Sequence, residues 1–556
     1  MRLHWLSHTS STCALSSVGS SFTMRLSYHI QVPLQTMVPT ILSVSSPKKV
    51  TKPPGRFSTR SGTPTSWILV LTLFGIFSMI KVVRVWHPDD LRNDNSFTIL
   101  PTTRLGTYRS VIEEVVKPFG TSRLGSNLTL SSKLFWRESD GVNFHPCIEF
   151  SSTYTTMSPS LTSTKSKYLI VVVNGGLNQQ RNQIVDSVII ARILGAALVV
   201  PILQVNQIWE DKSEFSDIFD VAHFKRTLKD DVRIVTNLPS TLIMSKPIEI
   251  RDTPFDSNPE WFRSHYASKF HKGSVLLLRS LDSRLAKDLP GDLQRLRCKV
   301  AFHALRFSAP IQALGERLAE RIAKHGPYVA LHLRLERDVW VRTGCSSGLG
   351  PSFEEEIEKE RIQKPQFLTT RNNMTSTERR KAGQCPLNAE EVGRLLRALG
   401  ATDRTIIFWA GGEPFGGAEA LKPLVNKFPL LYNKNDIALP GELKEFETRK
   451  SMLAAIDYLV CLKSDLFIPS HGGNMGRAVK GSRIYAGWGK NITPNKRLML
   501  RVLDNTTISK EEADQSIADL HTDPTHQFEE STGKKVVDVL SNPIPDCMCQ
   551  VKSTKE

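Results

Sequence analysis

The sequence predicts an α/β fold in which two Rossmann-like domains face a cleft. Short apolar runs rich in β-branched residues recur along the chain, and such runs are typical of buried parallel strands. Stretches with the apolar spacing of helices separate these runs, which indicates parallel sheets. Two of the runs end in glycine-containing loops. Because ligands of open α/β sheets bind outside the carboxyl ends of strands, we expect these loops to line the cleft.

The first domain is predicted at residues 166–327. A strand is expected over Tyr168–Val173, a helix follows up to Gly195, and Leu198–Pro201 is the next strand, which makes a βαβ unit. The first junction carries Gly175 and Gly176. Glycine allows the backbone to approach a ligand closely, and the helix start offers amide groups to a phosphate. A plain tight turn explains the same glycines. The pattern is not G-x-G-x-x-G, so a nicotinamide site is poorly supported.

The second domain is predicted at residues 328–535 and opens with the strand Val329–Leu333. Strand alternation places His332 and Arg334 on one face, at the end of this strand. Arginine is always charged and presents a planar fork of donors that suits a phosphate. Alternatively, Arg334 is a structural residue paired with Glu336 or Asp338. The sequence leaves both interpretations open.

The rest of the second domain continues the alternation of strands and helices. Further strands are expected at 405–410 and 465–469, and helices at 388–399 and 447–462. The first of these helices has Asn388 as its cap, Glu391 at the capping-box position and Gly400 as its stop.

A second loop follows the strand at 465–469, and its polar side chains and amides suit a phosphate or sugar hydroxyls. The candidate ligand-binding residues are Ser470, His471, Gly472, Gly473 and Asn474. His471 is equally explained as a loop histidine with a structural partner. No D-x-D motif occurs, so a metal bridging a diphosphate is not expected. Arg334, Arg181 and the loop amides would then have to bind the phosphates.

The segment before the first domain has a different character. Residues 1–66 carry seven Lys or Arg and no acid, and we expect a disordered cytosolic tail. The apolar stretch 67–86 is predicted to be a transmembrane signal anchor, with a buried core helix as the alternative. Residues 87–165 are interpreted as a lumenal stem and 536–556 as a tail. Four sequons follow the anchor and are candidate glycosylation sites: Asn127, Asn373, Asn491 and Asn505.

Composition narrows the class of protein. The chain has 556 residues, 40% of them hydrophobic, so a large core is possible. The net charge is +17, but no nucleic-acid-binding motif appears, so a nucleic-acid partner is not expected. Cys461 lies in an apolar helical run and is predicted to be a buried free thiol. The other cysteines suit disulfides in an oxidising compartment, with pairings that the sequence leaves open.

Six segments, in order over about residues 165–535, resemble the plant O-fucosyltransferase-like family. They are YLIVVVNGGLNQQRNQIVD at the first strand, LPGDLQRLRC at 289–298, HALRF at 303–307, HLRLERD at 332–338, AGQCPLNAEEV at 382–392 and FIPSHGGNMGRAV at 467–479. The resemblance implies a GT-B-like fold and a Golgi membrane protein of type II topology, with its catalytic domain in the lumen. It also implies inverting transfer of a 6-deoxyhexose without a metal or other cofactor.

The same resemblance implies roles for particular residues. Arg334 would contact the donor diphosphate, His332 would line the same pocket, and Asn178 would lie near the sugar as a second catalytic residue. The loop 470–474 would close on the nucleotide. GDP-fucose is the favoured donor and UDP-rhamnose the alternative, with a glycan or protein as acceptor. A non-catalytic lumenal sugar-binding or scaffold protein is the remaining alternative.

Overall fold

The structure is a computed structural model that describes residues 144–163, 166–206, 208–271, 274–368, 373–487, 490–522 and 538–550. All of them belong to one compact unit, residues 105–556. The predicted tail at 1–66, the predicted anchor at 67–86 and the sequon at Asn127 lie outside the described residues. None of the described helices is both long and apolar enough to span a membrane.

The first half of the described chain contains a parallel sheet with strand order β5-β3-β2-β7-β6, and β4 also pairs with β2. The predicted strand at 168–173 is confirmed at its full length, and the next strand is observed at 197–199. The strands are β2 (Tyr168–Val173), β3 (Ala197–Val199), β4 (Ile202–Leu203), β5 (Ile234–Val235), β6 (Ile248–Ile250) and β7 (Val275–Arg279).

The second half contains a parallel sheet of five strands in the order β10-β9-β8-β11-β12. The three strands predicted from apolar runs are confirmed, with ends that differ by one residue. The strands are β8 (Tyr328–His332), β9 (Ile406–Ala410), β10 (Leu431–Tyr432), β11 (Leu466–Pro469) and β12 (Lys490–Asn491).

Helices connect the strands, as the alternation predicts. The first half contains α1 (Ser152–Thr162), α2 (Leu177–Leu194), α3 (Phe215–Ile218), α4 (Val221–Thr227), α5 (Ser240–Ile243), α6 (Pro259–Tyr266), α7 (Gly291–Lys299) and α8 (Ala309–Ala323). The second half contains α9 (Arg337–Thr343), α10 (Pro351–Gln363), α11 (Ser376–Lys381), α12 (Ala389–Ala398), α13 (Gly417–Val425), α14 (Lys434–Ile437), α15 (Lys450–Lys463), α16 (Asn474–Tyr485), α17 (Lys496–Leu503) and α18 (Lys510–Thr522). The cap of α12 is Asn388 and Glu391 completes its capping box, as predicted.

One hydrophobic core extends through both halves and fixes the cleft between them. Strand alternation divides β8, because Ala330 contributes to this shared core while Val329 and Leu331 contribute to a second core behind the sheet. Helices α8 and α15 pack closely within the shared core. A Cβ atom at Gly315 of α8 would lie 2.5 Å from Cδ1 of Leu459, so only glycine permits this approach. The two halves therefore hold the cleft residues on a common packed support.

The structure corrects the predicted stem and tail boundaries. Residues 144–163 and 538–550 are folded onto the first half, where β1 (Phe144–Pro146) pairs with β13 (Met548–Gln550) in an antiparallel ladder. Disulfides join Cys147 to Cys549 and Cys298 to Cys547. Neither segment has a strong apolar period, and pairing with distant parts of the chain determines their structure. A third disulfide joins Cys345 to Cys385, and Cys461 is the predicted buried free thiol.

Candidate active site

A cavity of about 1550 Å³ lies between the two halves. The loop after β2 and residues 204–206, 208 and 209 line it from the first half, and the ends of β8, β9 and β11 line it from the second. The cavity is therefore at the carboxyl ends of the strands, where the alternation of strands and helices predicts a ligand.

Arg334 lies in this cavity immediately after β8. Its Nη1 is 2.7 Å from Oε2 of Glu336 and its Nη2 is 2.9 Å from Oδ2 of Asp338. Burial disfavours the charged guanidinium, but these two carboxylates outweigh it and raise the pKa of Arg334. Glu336 Oε1 also accepts a hydrogen bond from the Gly412 amide at 2.8 Å. The ion pairs of the structural interpretation are present, and they hold the guanidinium on the cavity surface.

Two histidines beside Arg334 are uncharged. Burial and the neighbouring Arg334 lower the pKa of His332 to about 3, and its Nδ1 has no hydrogen-bond partner among the described residues. Burial and the cation of Lys496 lower the pKa of His471 to about 3 as well. Both rings line the cavity. A neutral imidazole can donate through one nitrogen and accept through the other, so each can bind a polar ligand without adding charge.

The loop after β11 also lines the cavity, through Gly472, Gly473 and Asn474. Helix α16 begins at Asn474 with Gly473 as its cap, so its first amides point toward the cavity. Ser470 does not line the cavity. Its buried hydroxyl accepts a hydrogen bond from the Arg334 amide at 3.0 Å, so Ser470 positions the arginine.

The first glycine loop is held by glutamine side chains. The Gly176 amide donates to Oε1 of Gln179 at 3.1 Å, and Gln183 bonds both backbone groups of Asn174. Gly175 has φ of +84°, the left-handed conformation that favours glycine. Gly175 and Gly176 line the cavity as predicted.

Asn178 connects the first glycine loop to the second. It lines the cavity, and its Nδ2 is 3.2 Å from Sδ of Met475 across the cleft. Arg181 lies behind it and does not line the cavity. The Arg181 guanidinium packs over the ring of Tyr458 at 4.5 Å and that of Phe307 at 5.4 Å. Arg181 thus joins the two halves instead of facing a phosphate, because one turn of helix carries it behind Asn178 into the core.

A buried ion pair in the cavity wall was not predicted from the sequence. Nζ of Lys434 is 2.8 Å from Oδ2 of Asp457 and 2.9 Å from the Gly411 carbonyl. Burial raises the pKa of Asp457, against the opposing effect of Lys434. Oδ1 of Asp457 is buried and has no hydrogen-bond partner among the described residues. The sequence feature that could have indicated this ion pair is a single carboxylate, Asp457, inside the apolar helical run AAIDYLV.

The cavity has one charged and one uncharged wall. The first half contributes residues 174–179, 204–206, 208 and 209, and none of these side chains is ionisable; we call this surface the uncharged wall. The second half contributes the charged wall. Its ionised residues are Arg334, Glu336, Arg337, Asp338, Arg342, Glu413, Lys434, Glu447, Lys450, Asp457 and Arg477. Among the described residues, no three His, Cys, Asp or Glu side chains are arranged to hold a metal ion.

The family described as GDP-fucose protein O-fucosyltransferase matches residues 168–486, which include both glycine loops and the whole charged wall. This match covers more than half of the chain. The chain belongs to that family. The resemblance seen in the six sequence segments is thereby confirmed.

Two relatives and one solved structure are similar to this chain. O-fucosyltransferase 20 of Arabidopsis thaliana is 48% identical, over 97% of this chain and 98% of its own length. Rhamnogalacturonan I rhamnosyltransferase 4 of the same plant is 38% identical, over 68% of this chain and 80% of its own. A crystal structure of POFUT1 in complex with GDP-fucose is 16% identical and covers 60% of this chain and 99% of POFUT1, with a TM-score of 0.35.

The sequons of this family member differ in their surroundings. Asn373 and Asn505 are exposed, and Oδ1 of Asn505 accepts hydrogen bonds from the amide and hydroxyl of Thr507. Asn491 is half-buried in β12, where its Oδ1 accepts a hydrogen bond from Nε of the buried Arg483 at 2.9 Å. Glycosylation remains a prediction, and the side chain of Asn491 is the one already engaged inside the fold.

Proposed function

We propose that this protein is an inverting glycosyltransferase that moves fucose from GDP-fucose to an acceptor hydroxyl without a metal ion. The observation that carries the proposal is Arg334. It is a permanently charged donor fork, held on the cavity surface by Glu336 and Asp338 and flanked by glycine loops from both halves. Membership of the family supports the same reaction.

Arg334 and its neighbours act on the leaving group. When the bond from the sugar to the diphosphate breaks, negative charge increases on the departing phosphate oxygens. Arg334, the first amides of α16 and a neutral His332 can stabilise that charge in a site already oriented for it. An interaction that strengthens as charge develops lowers the barrier more than it stabilises bound substrate. Positive side chains and amides thereby do the work that a divalent cation does in other transferases.

The sugar transfer itself is proposed to be dissociative, with an oxocarbenium-like state. The first glycine loop contains no carboxylate, and Asn178 is one of the uncharged polar side chains that line the cavity beside it. Glu336 and Asp338 are engaged with Arg334. The acceptor hydroxyl bonds to the anomeric carbon from the side of the uncharged wall as the bond to the diphosphate on the charged wall breaks, which gives inversion. GDP leaves with the bonding electrons, and the hydroxyl proton is released to solvent.

Asp457 is our candidate for reading the nucleotide base. Guanine presents an N–H and an amino group side by side, and both can donate to a carboxylate. Uracil presents one N–H between two carbonyl oxygens, and these repel a carboxylate. Asp457 lines the cavity, and its buried Oδ1 has no hydrogen-bond partner among the described residues, so a base that reached it would meet an acceptor. This arrangement favours GDP-fucose over UDP-rhamnose.

The experiment is calorimetric titration with GDP, GDP-fucose, UDP and UDP-rhamnose. We expect binding of the guanine nucleotides, and Asp457→Asn should weaken it by about tenfold or more, because a hydrogen bond to a charged group is lost. Glu413→Gln, an exposed carboxylate of the same wall, is the matched control and should bind normally. Preferential binding of UDP-rhamnose would show a rhamnosyltransferase. No binding of any of the four would favour a non-catalytic sugar-binding protein.

We further propose that the protein is anchored in the Golgi membrane with its catalytic domain in the lumen. The basic segment followed by an apolar stretch and four downstream sequons supports this topology. Protease treatment of sealed microsomes should leave a carboxyl-terminal tag intact until detergent is added. Digestion of the tag without detergent would overturn the topology.

A further inference from the structure

We propose that the uncharged wall is an acceptor site for carbohydrate, with the indole ring of Trp209 as its stacking surface. This inference rests on the proposed function, because it names the acceptor class for the same cleft. The reasons lie in the position of the ring, in the contacts that fix it and in the chemistry of its surroundings.

Trp209 stands next to the first glycine loop. A Cβ atom added to Gly176 would lie 3.0 Å from Cη2 of the indole, so the ring is in contact with the loop backbone. The same loop presents Asn178, whose amide reaches Met475 beside the second glycine loop. The indole therefore lies beside the first glycine loop and lines the same cavity as the proposed donor site.

The ring is held in place by its own segment. Oδ1 of Asn206 accepts hydrogen bonds from the amides of Ile208 and Trp209 at 2.8 and 2.9 Å, and the Glu210 amide bonds the Asn206 carbonyl. Glu210 has φ of +55°, a conformation that non-glycine residues seldom adopt. An unfavourable backbone conformation of this kind persists where neighbouring contacts hold it, as the hydrogen bonds of Asn206 do here. The turn thus fixes the indole before any ligand binds.

The far end of the segment is fixed to the opposite half. Oδ2 of Asp211 accepts a hydrogen bond from the Ser451 amide at the start of α15, at 2.5 Å. Helix α15 also carries Asp457, the proposed base-reading residue. The acceptor surface and the donor surface are thereby held in a constant relation, which a transfer between two bound substrates needs.

The chemistry of the uncharged wall suits a sugar better than a charged peptide. Its side chains are amides and apolar surfaces. The Gln204 amide can both donate and accept, while Gln179 and Asn206, whose oxygens are bound to backbone amides, can donate through their nitrogens. Sugars combine hydroxyls with an apolar C–H face that stacks on an aromatic ring. Ile208 is 40% and Val205 is 49% exposed beside the indole. Apolar surface next to neutral amides matches the two-sided character of a sugar ring.

The test uses the neutral cello-, xylo-, manno- and galacto-oligosaccharides as probes, titrated against the protein with fluorescence detection. At least one series should change the tryptophan emission of the wild type. The same series should not change the emission of Trp209→Phe, which assigns the signal to that indole. In calorimetric titration, which does not depend on the indole emission, Trp209→Ala should bind that series about tenfold more weakly or worse, through loss of the stacking surface. Binding of GDP-fucose to Trp209→Ala should equal that of the wild type. Met244→Ala, a 93% exposed residue away from the cavity, is the control.

The outcomes separate the two proposals. If no nucleotide sugar binds while oligosaccharides do, the proposed donor fails and the carbohydrate site stands. The carbohydrate site is overturned if GDP-fucose binds but no oligosaccharide series binds the wild type. It is also overturned if every series binds Trp209→Ala with the affinity of the wild type. Competition at the indole by an unglycosylated polypeptide alone would overturn it as well and would assign the wall to a protein acceptor.

Discussion

The two walls of the cleft are built from the same kind of unit, a strand, a glycine loop and a helix, yet they differ in charge. The loop after β2 is held by Gln179 and Gln183, and its wall has no ionisable side chain among the described residues. The loop after β11 contains His471 and lines the cavity together with Arg334 and His332. The difference shows that one kind of unit, used twice, can give two chemically unlike walls. Under the proposed function, the charged wall binds the diphosphate and the uncharged wall binds a neutral acceptor.

The charges of the second half are also internally paired, which keeps them oriented when no ligand is bound. Arg334 lies between two carboxylates, and Lys434 is bonded to Asp457. Groups that are fixed in this way need little reorientation when a charged ligand binds, which lowers the free-energy cost of binding it. The uncharged wall relies on backbone bonds and close contacts instead.

The largest stability effect is expected from the charged wall. Lys434→Met removes the partner of a buried carboxylate, and we expect a loss of about 3–5 kcal/mol in the free energy of unfolding. Urea denaturation measures it. Lys450→Met, an exposed lysine of the same wall, should change the free energy by less than about 0.5 kcal/mol. Equal effects of the two variants would show that pairing does not hold this wall together.

The neutral histidines of the charged wall predict a dependence on pH. His332 and His471 have folded pKa values of about 3, below the value near 6.5 of the unfolded chain. The unfolded state therefore binds more protons below pH 6.5, and this part of the stability is lost as pH falls toward 3. Each histidine contributes roughly 1 kcal/mol per pH unit in that window.

Unfolding measured at pH 7.5 and 5.5 tests this dependence. His471→Gln should reduce the difference in unfolding free energy between the two pH values, because glutamine does not titrate. A variant that shows the wild-type difference would contradict the assignment of this pH dependence to His471.

The smallest effect compares the two glycine loops directly. Gly175→Ala forces a Cβ into a left-handed conformation and to 3.0 Å from Cβ of Gln179, with an expected cost of about 1–2 kcal/mol. A Cβ at Gly472 meets nothing within 4 Å, so Gly472→Ala should leave stability nearly unchanged. Thermal denaturation of the two variants measures the contrast. A larger loss at Gly472 would mean that the second loop, not the first, is the strained one.

The sheets and glycine loops could be predicted because apolar strands and glycine turns leave a local signal. The run YLIVVV gave both ends of β2, and the helix from 388 was predicted from its cap. The disulfide between Cys298 and Cys547 could not be predicted, because it joins residues separated by 249 positions in the chain. Residues 144–163 were assigned to a stem for the same reason: their fold depends on a distant segment.

The site was predicted in part. Arg334, His332 and both glycine loops lie at strand ends, where sequence order gives their position. Trp209 and Lys434 were missed, because Trp209 lies in a turn that packs on the first glycine loop and Lys434 is held in the cavity wall by Asp457 of a distant helix. Arg181 was placed on the cavity from its charge alone, but the helix turns it into the core against Tyr458.

The central claim is that Arg334 stabilises the departing diphosphate, and the rate of GDP release from GDP-fucose tests it most directly. Arg334→Ala should lower that rate about 100- to 1000-fold. Arg334→Lys keeps a cation between Glu336 and Asp338, so it should melt near the wild-type temperature yet recover only part of the rate. If Arg334→Lys releases GDP at the wild-type rate and Arg334→Ala is merely unstable, Arg334 only neutralises two acids, and the account is contradicted.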